Sequence, residues 1–271
     1  MQLKNKYYEM IFKRKSFHMY REVISLSKEE LQEINKEIEN IIPLHTNIKT
    51  NIKLVHKSNT SCKRGEYCIL IYSETKDGFL QNVGYIGQQL DLYLASKDIG
   101  VCWYGLAKPD NQKDENNLEF VIMLAIGKTN PKYFRTGYQK LDNIEDIDNL
   151  VYKIKCSRRN ITEIHSGEGY KNLIEVVKYA PSACNSQPWF IENKDNEINL
   201  YRTCGKKSIM PGNKMAIINR VDIGIMILYI EIYLTKNDIK YTKEIFNDDV
   251  EEHEKALNKE KKILNARYIL K

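Results

Sequence analysis

The chain has 271 residues, of which 42% are apolar and 29% are charged, with 42 Lys and Arg residues against 36 Asp and Glu residues. This composition is typical of a globular protein and excludes disorder and collagen-like repeats. The net charge of +6 is spread along the sequence, so nucleic-acid binding is not indicated. The sequence contains no apolar run of about 18 residues and no secretory signal, so we expect a cytoplasmic protein without a membrane partner.

The first clear helix signal lies near the N-terminus. Ser27-Lys28-Glu29-Glu30 is a capping box and predicts an amphipathic helix that reaches about Ile42 and stops before Pro43. Further along, the apolar run Phe120–Ile126 has the length of a buried strand, and we expect Gly127 to end it.

The second half of the chain carries similar signals. Residues 173–179 predict a helix that Pro181 terminates, because the residue before a proline is disfavoured in the helical conformation. Residues 263–270 contain apolar groups that could add a closing strand. Between the halves, no Gly-, Ser- or Pro-rich linker appears, and the polar stretch 128–157 is the nearest equivalent of a seam.

Two stretches 140 residues apart resemble each other. Residues 83–99 match residues 223–239, with Gly, Tyr-Leu and Asp-Ile at corresponding positions. Strand-like runs, residues 68–72 and 197–201, precede the two stretches. Each stretch is apolar nearly all round, which predicts two central buried helices that pack against each other with a sheet outside.

The repeat therefore predicts two related α+β halves in one compact unit, residues 1–150 and 151–271. The six cysteines and five histidines are dispersed, with no C-x-x-C spacing and no adjacent histidine partner. We expect reduced, mostly buried thiols and no metal site.

The segment Lys13–Tyr20 is the first candidate for chemistry. Arg14 offers a planar fork of donors, Lys15 a point charge and Ser16 a hydroxyl, which together suit a phosphate. The alternative is a solvated basic face.

Two further segments are candidate ligand-binding turns. In Ala180–Trp189, two prolines and closely spaced hydrogen-bonding side chains favour a ligand cradle over an ordinary turn anchored by Trp189. In Gly100–Ala107, the glycines would let backbone approach a flat ligand. An equally good alternative makes Gly100 a helix C-cap and Trp103 a packing residue.

These segments carry a resemblance to a known family. Arg14-Lys15-Ser16-Phe17-His18 resembles the opening R-x-S-x-R motif of the FMN-dependent nitroreductases, and Ala180–Trp189 resembles their A-P-S-x-x-N-x-Q-P-W loop. The sequence is similar to the branch in which one chain carries both halves of the usual dimer. The resemblance implies an α+β nitroreductase-like fold whose two halves form an internal pseudo-dimer around central helices.

The resemblance also implies where a cofactor lies. One FMN would sit at the interface of the halves, with its phosphate on the opening motif (Arg14–His18). Its ring would lie against the late loop (Ala180–Trp189) and the glycine turn (Gly100–Ala107). His18 stands where the family has a second Arg, and Lys140 where related chains carry a further cation. The implied cofactor-binding residues are Arg14, Lys15, Ser16, His18, Tyr104, Gly105, Lys140, Pro181, Ser182, Ala183, Asn185 and Gln187. No catalytic acid, base or nucleophile is implied.

The implied activity is that of an oxidoreductase. Reducing equivalents would pass from NADH or NADPH through FMN to nitroaromatic, quinone or similar small-molecule acceptors in a ping-pong cycle. One alternative is a flavin-binding protein used for storage, sensing or delivery, and another is a descendant that has lost FMN. The fused halves make either a monomer or a homodimer the expected state.

Overall fold

The computed structural model describes residues 5–135, 157–203, 212–246 and 261–271. Its described residues fall into two compact units. The N-terminal unit is Lys13–Thr136, and the C-terminal unit combines Met1–Phe12 with Gly137–Lys271. The predicted boundary between residues 150 and 151 lies outside the described residues and stays a prediction.

The N-terminal unit is an antiparallel sheet with helices. Its elements are α2 (Lys28–Glu39), β1 (Thr50–His56), β2 (Tyr67–Ser73), α3 (Phe79–Ser96), β3 (Ile99–Tyr104) and β4 (Glu119–Lys128). The strands lie in the order β1-β2-β4-β3, and each neighbouring pair is antiparallel. The strand predicted at Phe120–Ile126 is confirmed in β4. The prediction that Gly127 ends it is wrong, because Gly127 pairs with Gly100 inside the sheet.

The predicted capping box is present at the start of α2. The Ser27 hydroxyl accepts a hydrogen bond from the Glu30 amide, and a Glu30 carboxylate oxygen accepts one from the Ser27 amide. Two otherwise unsatisfied donors at the helix start are thereby bound. The helix ends at Glu39, three residues before the predicted end.

The central helix of the N-terminal unit is α3, and the prediction that it is buried is confirmed. Every residue from Leu80 to Ala95 is buried. Trp103 of β3 packs so closely on α3 that a Cβ atom at Gly87 would lie 2.6 Å from its ring. Glycine at this position therefore lets the helix and the sheet approach each other.

The C-terminal unit contains a second sheet. Helix α1 (Asn5–Lys13) belongs to this unit up to Phe12. The other elements are α4 (Ile161–Ile164), β5 (His165–Ser166), α5 (Lys171–Val177), β6 (Trp189–Lys194), β7 (Glu197–Arg202), α6 (Gly212–Lys236), β8 (Tyr241–Ile245) and β9 (Ile263–Leu270). The strand order is β5-β6-β7-β9-β8, and only the β5–β6 pair is parallel. The predicted last strand is confirmed, but it lies between β7 and β8 instead of closing an edge.

Helix α6 is the long buried helix of the C-terminal unit. Every residue from Asn219 to Leu234 is buried, as the all-round apolar pattern predicts. The strand-like runs predicted before the two helices are confirmed in β2 and β7. That α3 and α6 pack against each other stays a prediction. Among the described residues, no helix is long and apolar enough to cross a membrane.

The first helix of the chain packs within the C-terminal unit. The Phe12 ring meets the Tyr179 ring edge to face, with centroids 5.7 Å apart. The Lys236 ammonium lies 5.9 Å from the centroid of the Tyr8 ring. Since Tyr179 follows α5 and Lys236 ends α6, α1 joins two elements that are distant in sequence.

Candidate functional site

The opening segment is attached to the free edge of β3 in the N-terminal unit. Ser16 forms a parallel bridge with Val101, and the Phe17 amide donates to the Val101 carbonyl at 2.9 Å. The Phe17 ring covers Gly100, where a Cβ atom would lie only 2.8 Å from the ring. Gly100 is therefore neither a helix C-cap nor open to a flat ligand, because an aromatic side chain of the protein occupies its face.

Arg14 is buried and paired with a carboxylate. It is 2% exposed, and its Nε lies 3.1 Å from Oδ2 of Asp91 on α3. The Trp103 indole donates to the same oxygen at 3.1 Å. Burial raises the pKa of Asp91, and both Arg14 and Trp103 oppose this shift. Because Nη2 of Arg14 also donates to the Ser16 hydroxyl at 3.3 Å, the buried pair orients an exposed hydroxyl.

Lys15 differs from its neighbours because no carboxylate among the described residues pairs with it. Lys13, in contrast, lies 2.7 Å from Asp98. Burial lowers the pKa of Lys15, and the nearby cations Arg135 and Arg21 lower it further. Like charges that crowd together in this way favour the approach of an anion.

A second cation, Arg64, lies beside His18. Nη1 of Arg64 lies 3.1 Å from Nδ1 of His18 and donates to Sγ of Cys102 at 3.1 Å. The guanidinium carbon of Arg64 lies 4.4 Å from the centroid of the Tyr104 ring. Burial lowers the pKa of His18, and Arg64 adds to the effect. The sequence analysis missed Arg64, because a Lys-Arg pair in a connecting segment is typical of a solvated surface loop.

The Ala180–Trp189 loop of the C-terminal unit is strained. Cys184, Asn185 and Gln187 have φ angles of 50°, 54° and 49°. This left-handed region is unfavourable for residues other than glycine, although asparagine tolerates it better than most. Strain of this kind concentrates at ligand-binding and catalytic sites.

The polar side chains of this loop bind one another and the backbone. Nε2 of the Gln187 side chain donates to the Asn185 backbone carbonyl at 3.2 Å, and Oε1 of the same side chain accepts from the Arg159 backbone amide at 2.8 Å. The Asn185 side chain donates to the Ser157 carbonyl at 3.0 Å. The Ser182 hydroxyl accepts from the Gln187 amide at 2.9 Å. These contacts fix the loop, and they occupy part of the hydrogen-bonding capacity that a ligand would use.

Two arginines that the sequence analysis missed brace the loop. Arg158 donates to the Asn185 side chain at 3.0 Å and to the Tyr179 carbonyl at 3.1 Å. Arg159 donates to the Gln187 carbonyl at 3.3 Å. A signal was available, because Arg158-Arg159-Asn160 repeats the order of two cations and a small polar residue seen at Arg14, close to the repeat offset.

One turn of α6 anchors the loop from the other side. Oδ1 of Asp222 accepts from the Ala183 amide at 3.0 Å, and Oδ1 of Asn219 accepts from the Ser186 hydroxyl at 3.3 Å. The two side chains are three positions apart and share a helix face. Burial raises the pKa of Asp222 from 3.8 to about 8, and the Ala183 amide opposes the rise. Burial therefore favours the protonated form of this carboxyl group.

The predicted site residues fall into two groups, one in each unit. Arg14, Lys15, Ser16, His18, Tyr104 and Gly105 lie on or beside β3, whereas Pro181, Ser182, Ala183, Asn185 and Gln187 lie in the C-terminal loop. Lys140 lies outside the described residues. That the two groups form a single site stays a prediction.

The two units, each with a sheet and a long buried helix, define an α+β fold of the nitroreductase type. The chain belongs to the family described as "Putative TM nitroreductase", which it matches over residues 6–234. A "putative nitroreductase" of Thermotoga maritima MSB8 shares the fold at 16% identity, with a TM-score of 0.56 over 100% of this chain and 93% of that chain.

Two further solved structures resemble the chain over a smaller part. A nitroreductase family protein of Clostridium novyi NT has 16% identity and a TM-score of 0.34 over 46% of this chain and 85% of that chain. One from Clostridium difficile 630 has 14% identity and a TM-score of 0.35 over 46% of this chain and 88% of that chain. No curated protein matches the sequence.

Proposed function

We propose that the protein is an FMN-dependent oxidoreductase that passes reducing equivalents from NADH or NADPH to nitroaromatic, quinone or similar acceptors. Membership of a nitroreductase family supports an oxidoreductase. The observation that carries the FMN assignment is the group of cations around the opening segment. Lys15 and Arg64 have no carboxylate partner among the described residues, and they accompany an exposed hydroxyl at Ser16. This combination of donors suits a phosphate.

The opening segment would hold the phosphate. Ser16 and Lys15 supply donors, and His18 supplies one more through its second ring nitrogen. Arg14 acts mainly through the hydroxyl that it orients, because its own charge is shared with Asp91. Lys140 is proposed as a further cation.

The late loop would hold the flavin ring and ribityl chain. Pro181, Ser182, Ala183, Asn185 and Gln187 are proposed contacts, together with Tyr104 at the end of β3 and Gly105 in the turn that follows. Arg158, Arg159 and α6 keep this loop in one conformation, so its donors are already in place when the ligand arrives.

FMN supplies the redox chemistry when it is bound, because it exchanges hydride with nicotinamide and electrons with acceptors. The chain's own residues bind and orient, and we assign none of them as an acid, base or nucleophile. The internal pseudo-dimer belongs to the same proposal, since it would bring the two groups of residues together.

The visible absorption spectrum of the purified protein, followed by an FMN titration and an NADH and NADPH oxidation assay, tests the proposal. We expect a yellow protein that oxidises at least one nicotinamide with a quinone or nitroaromatic acceptor. Protein that binds FMN but turns over no acceptor would instead support a storage, sensing or delivery role. Protein that binds no FMN after titration would contradict the proposal.

A further inference from the structure

Arg64 lies in the connection between β1 and β2, at a position that the fold fixes tightly. The next residue, Gly65, has a φ of +63° and lies against β4. A Cβ atom there would be 2.2 Å from the Ile126 carbonyl oxygen, so only glycine fits. The backbone that carries Arg64 is therefore held against the sheet.

The Arg64 guanidinium uses only one of its nitrogens in the contacts described. Nη1 contacts both His18 and Cys102, and the planar group stacks on Tyr104. Within the described ranges, Nη2 and Nε have no hydrogen-bond partner and no carboxylate pairs with Arg64. An arginine in this state keeps its full charge and one free edge of its donor fork.

The charge balance of the opening segment makes this free edge significant. Asp98 and Asp91 neutralise Lys13 and Arg14, respectively. Since arginine can only donate, Nδ1 of His18 must accept, which makes the imidazole neutral. The fixed positive charge beside His18 is therefore supplied by Arg64, from a different part of the chain.

We propose that Arg64 binds the phosphate group of FMN through its free guanidinium edge, with His18 and Tyr104 as its positioning residues. The inference rests on the proposed function, because it concerns a residue that binds the same cofactor. A phosphate accepts two parallel hydrogen bonds from arginine, and stacking on Tyr104 fixes the plane of the donor.

Binding of FMN and of riboflavin to flavin-free protein tests this assignment, because riboflavin lacks only the phosphate. We expect Arg64→Ala to weaken FMN binding by about 10- to 100-fold, the usual effect of losing a charged hydrogen bond. Riboflavin binding should change by less than about twofold. The FMN affinity of Arg64→Lys should lie between those of the wild type and of Arg64→Ala.

Lys63→Ala is the matched control, because it removes one positive charge from an exposed neighbour in the same connection. We expect it to change FMN binding by less than about twofold, since exposed charges are screened. If Arg64→Ala does not fold, Arg64→Gln replaces it, because glutamine keeps part of the stem and removes the charge.

Three results would overturn the inference while leaving the proposed function intact. These are unchanged FMN binding by the Arg64 variants, an equal loss of FMN and riboflavin, and a loss in Lys63→Ala that matches Arg64→Ala. A wild-type protein that binds neither flavin would contradict the proposed function itself.

Discussion

Replacing Asp222 by asparagine should remove a large pH dependence of stability. Asp222 is 3% exposed, and its Oδ1 holds the Ala183 amide at the start of the late loop. Asparagine keeps this acceptor and cannot ionise. At the position 140 residues earlier, the chain itself uses Asn82, whose Oδ1 accepts from the amides of Leu44 and His45 after Pro43.

The magnitude follows from the pKa of the carboxyl group. The pKa of Asp222 rises from 3.8 to about 8 on folding, so between these values the folded protein binds one more proton than the unfolded chain. Stability therefore falls as pH rises through this window, by about 1.4 kcal/mol per pH unit. The accumulated loss at pH 8 is on the order of 5 kcal/mol, which is comparable with the whole stability of many domains.

Urea unfolding of wild type and Asp222→Asn at several pH values between 4 and 9 measures the effect. The variants should have similar free energies of unfolding near pH 4, and the advantage of Asp222→Asn should grow with pH until about pH 8. Asn82→Asp is the matched reverse substitution, and it should introduce a dependence of the same sign in the N-terminal unit. Parallel curves for wild type and Asp222→Asn would refute the reasoning.

Three further substitutions test individual contacts. Arg14→Ala leaves Asp91 buried without its ion-pair partner, so thermal unfolding should show a loss of about 3–5 kcal/mol; adding Asp91→Asn should recover much of it, and no recovery would contradict the pair. Ser16→Ala should weaken FMN binding by about 2- to 10-fold and spare riboflavin, as calorimetry would show; an equal effect on both would exclude a phosphate contact. Ser27→Ala should lower the free energy of unfolding by about 1 kcal/mol in urea titrations through loss of the α2 cap, and an unchanged value would contradict the capping box.

The sequence predicts those elements whose signals are local. The α2 start follows from the Ser27 and Glu30 box, and α3 and α6 follow from apolar patterns that no exposed helix would carry. The end of β4 was not predictable in this way. Glycine generally weakens strands, but Gly127 lies under the Tyr20 ring, where a side chain would not fit. Only the tertiary packing shows why glycine stands inside this strand.

The site residues likewise differ in whether a local sequence signal identifies them. The opening motif and the late loop are contiguous in sequence and could be found by their residue types. Arg64 could not, because the β1–β2 pairing and the contact of Gly65 with Ile126 bring it to His18 across 46 positions. Arg158 and Arg159 do carry a local signal, because Arg158-Arg159-Asn160 has the same order of two cations and a small polar residue as Arg14-Lys15-Ser16.

The cations of the two units have different uses, and this predicts the stoichiometry of the cofactor. Arg158 and Arg159 donate to oxygen atoms of the late loop and its surroundings, so their charge serves the loop conformation. Lys15 and Arg64 have no comparable partners among the described residues. An anion should therefore bind at the opening segment of the N-terminal unit and not at its counterpart. We expect one FMN per chain by absorbance and protein quantification, and two per chain would show that the halves have kept equivalent sites.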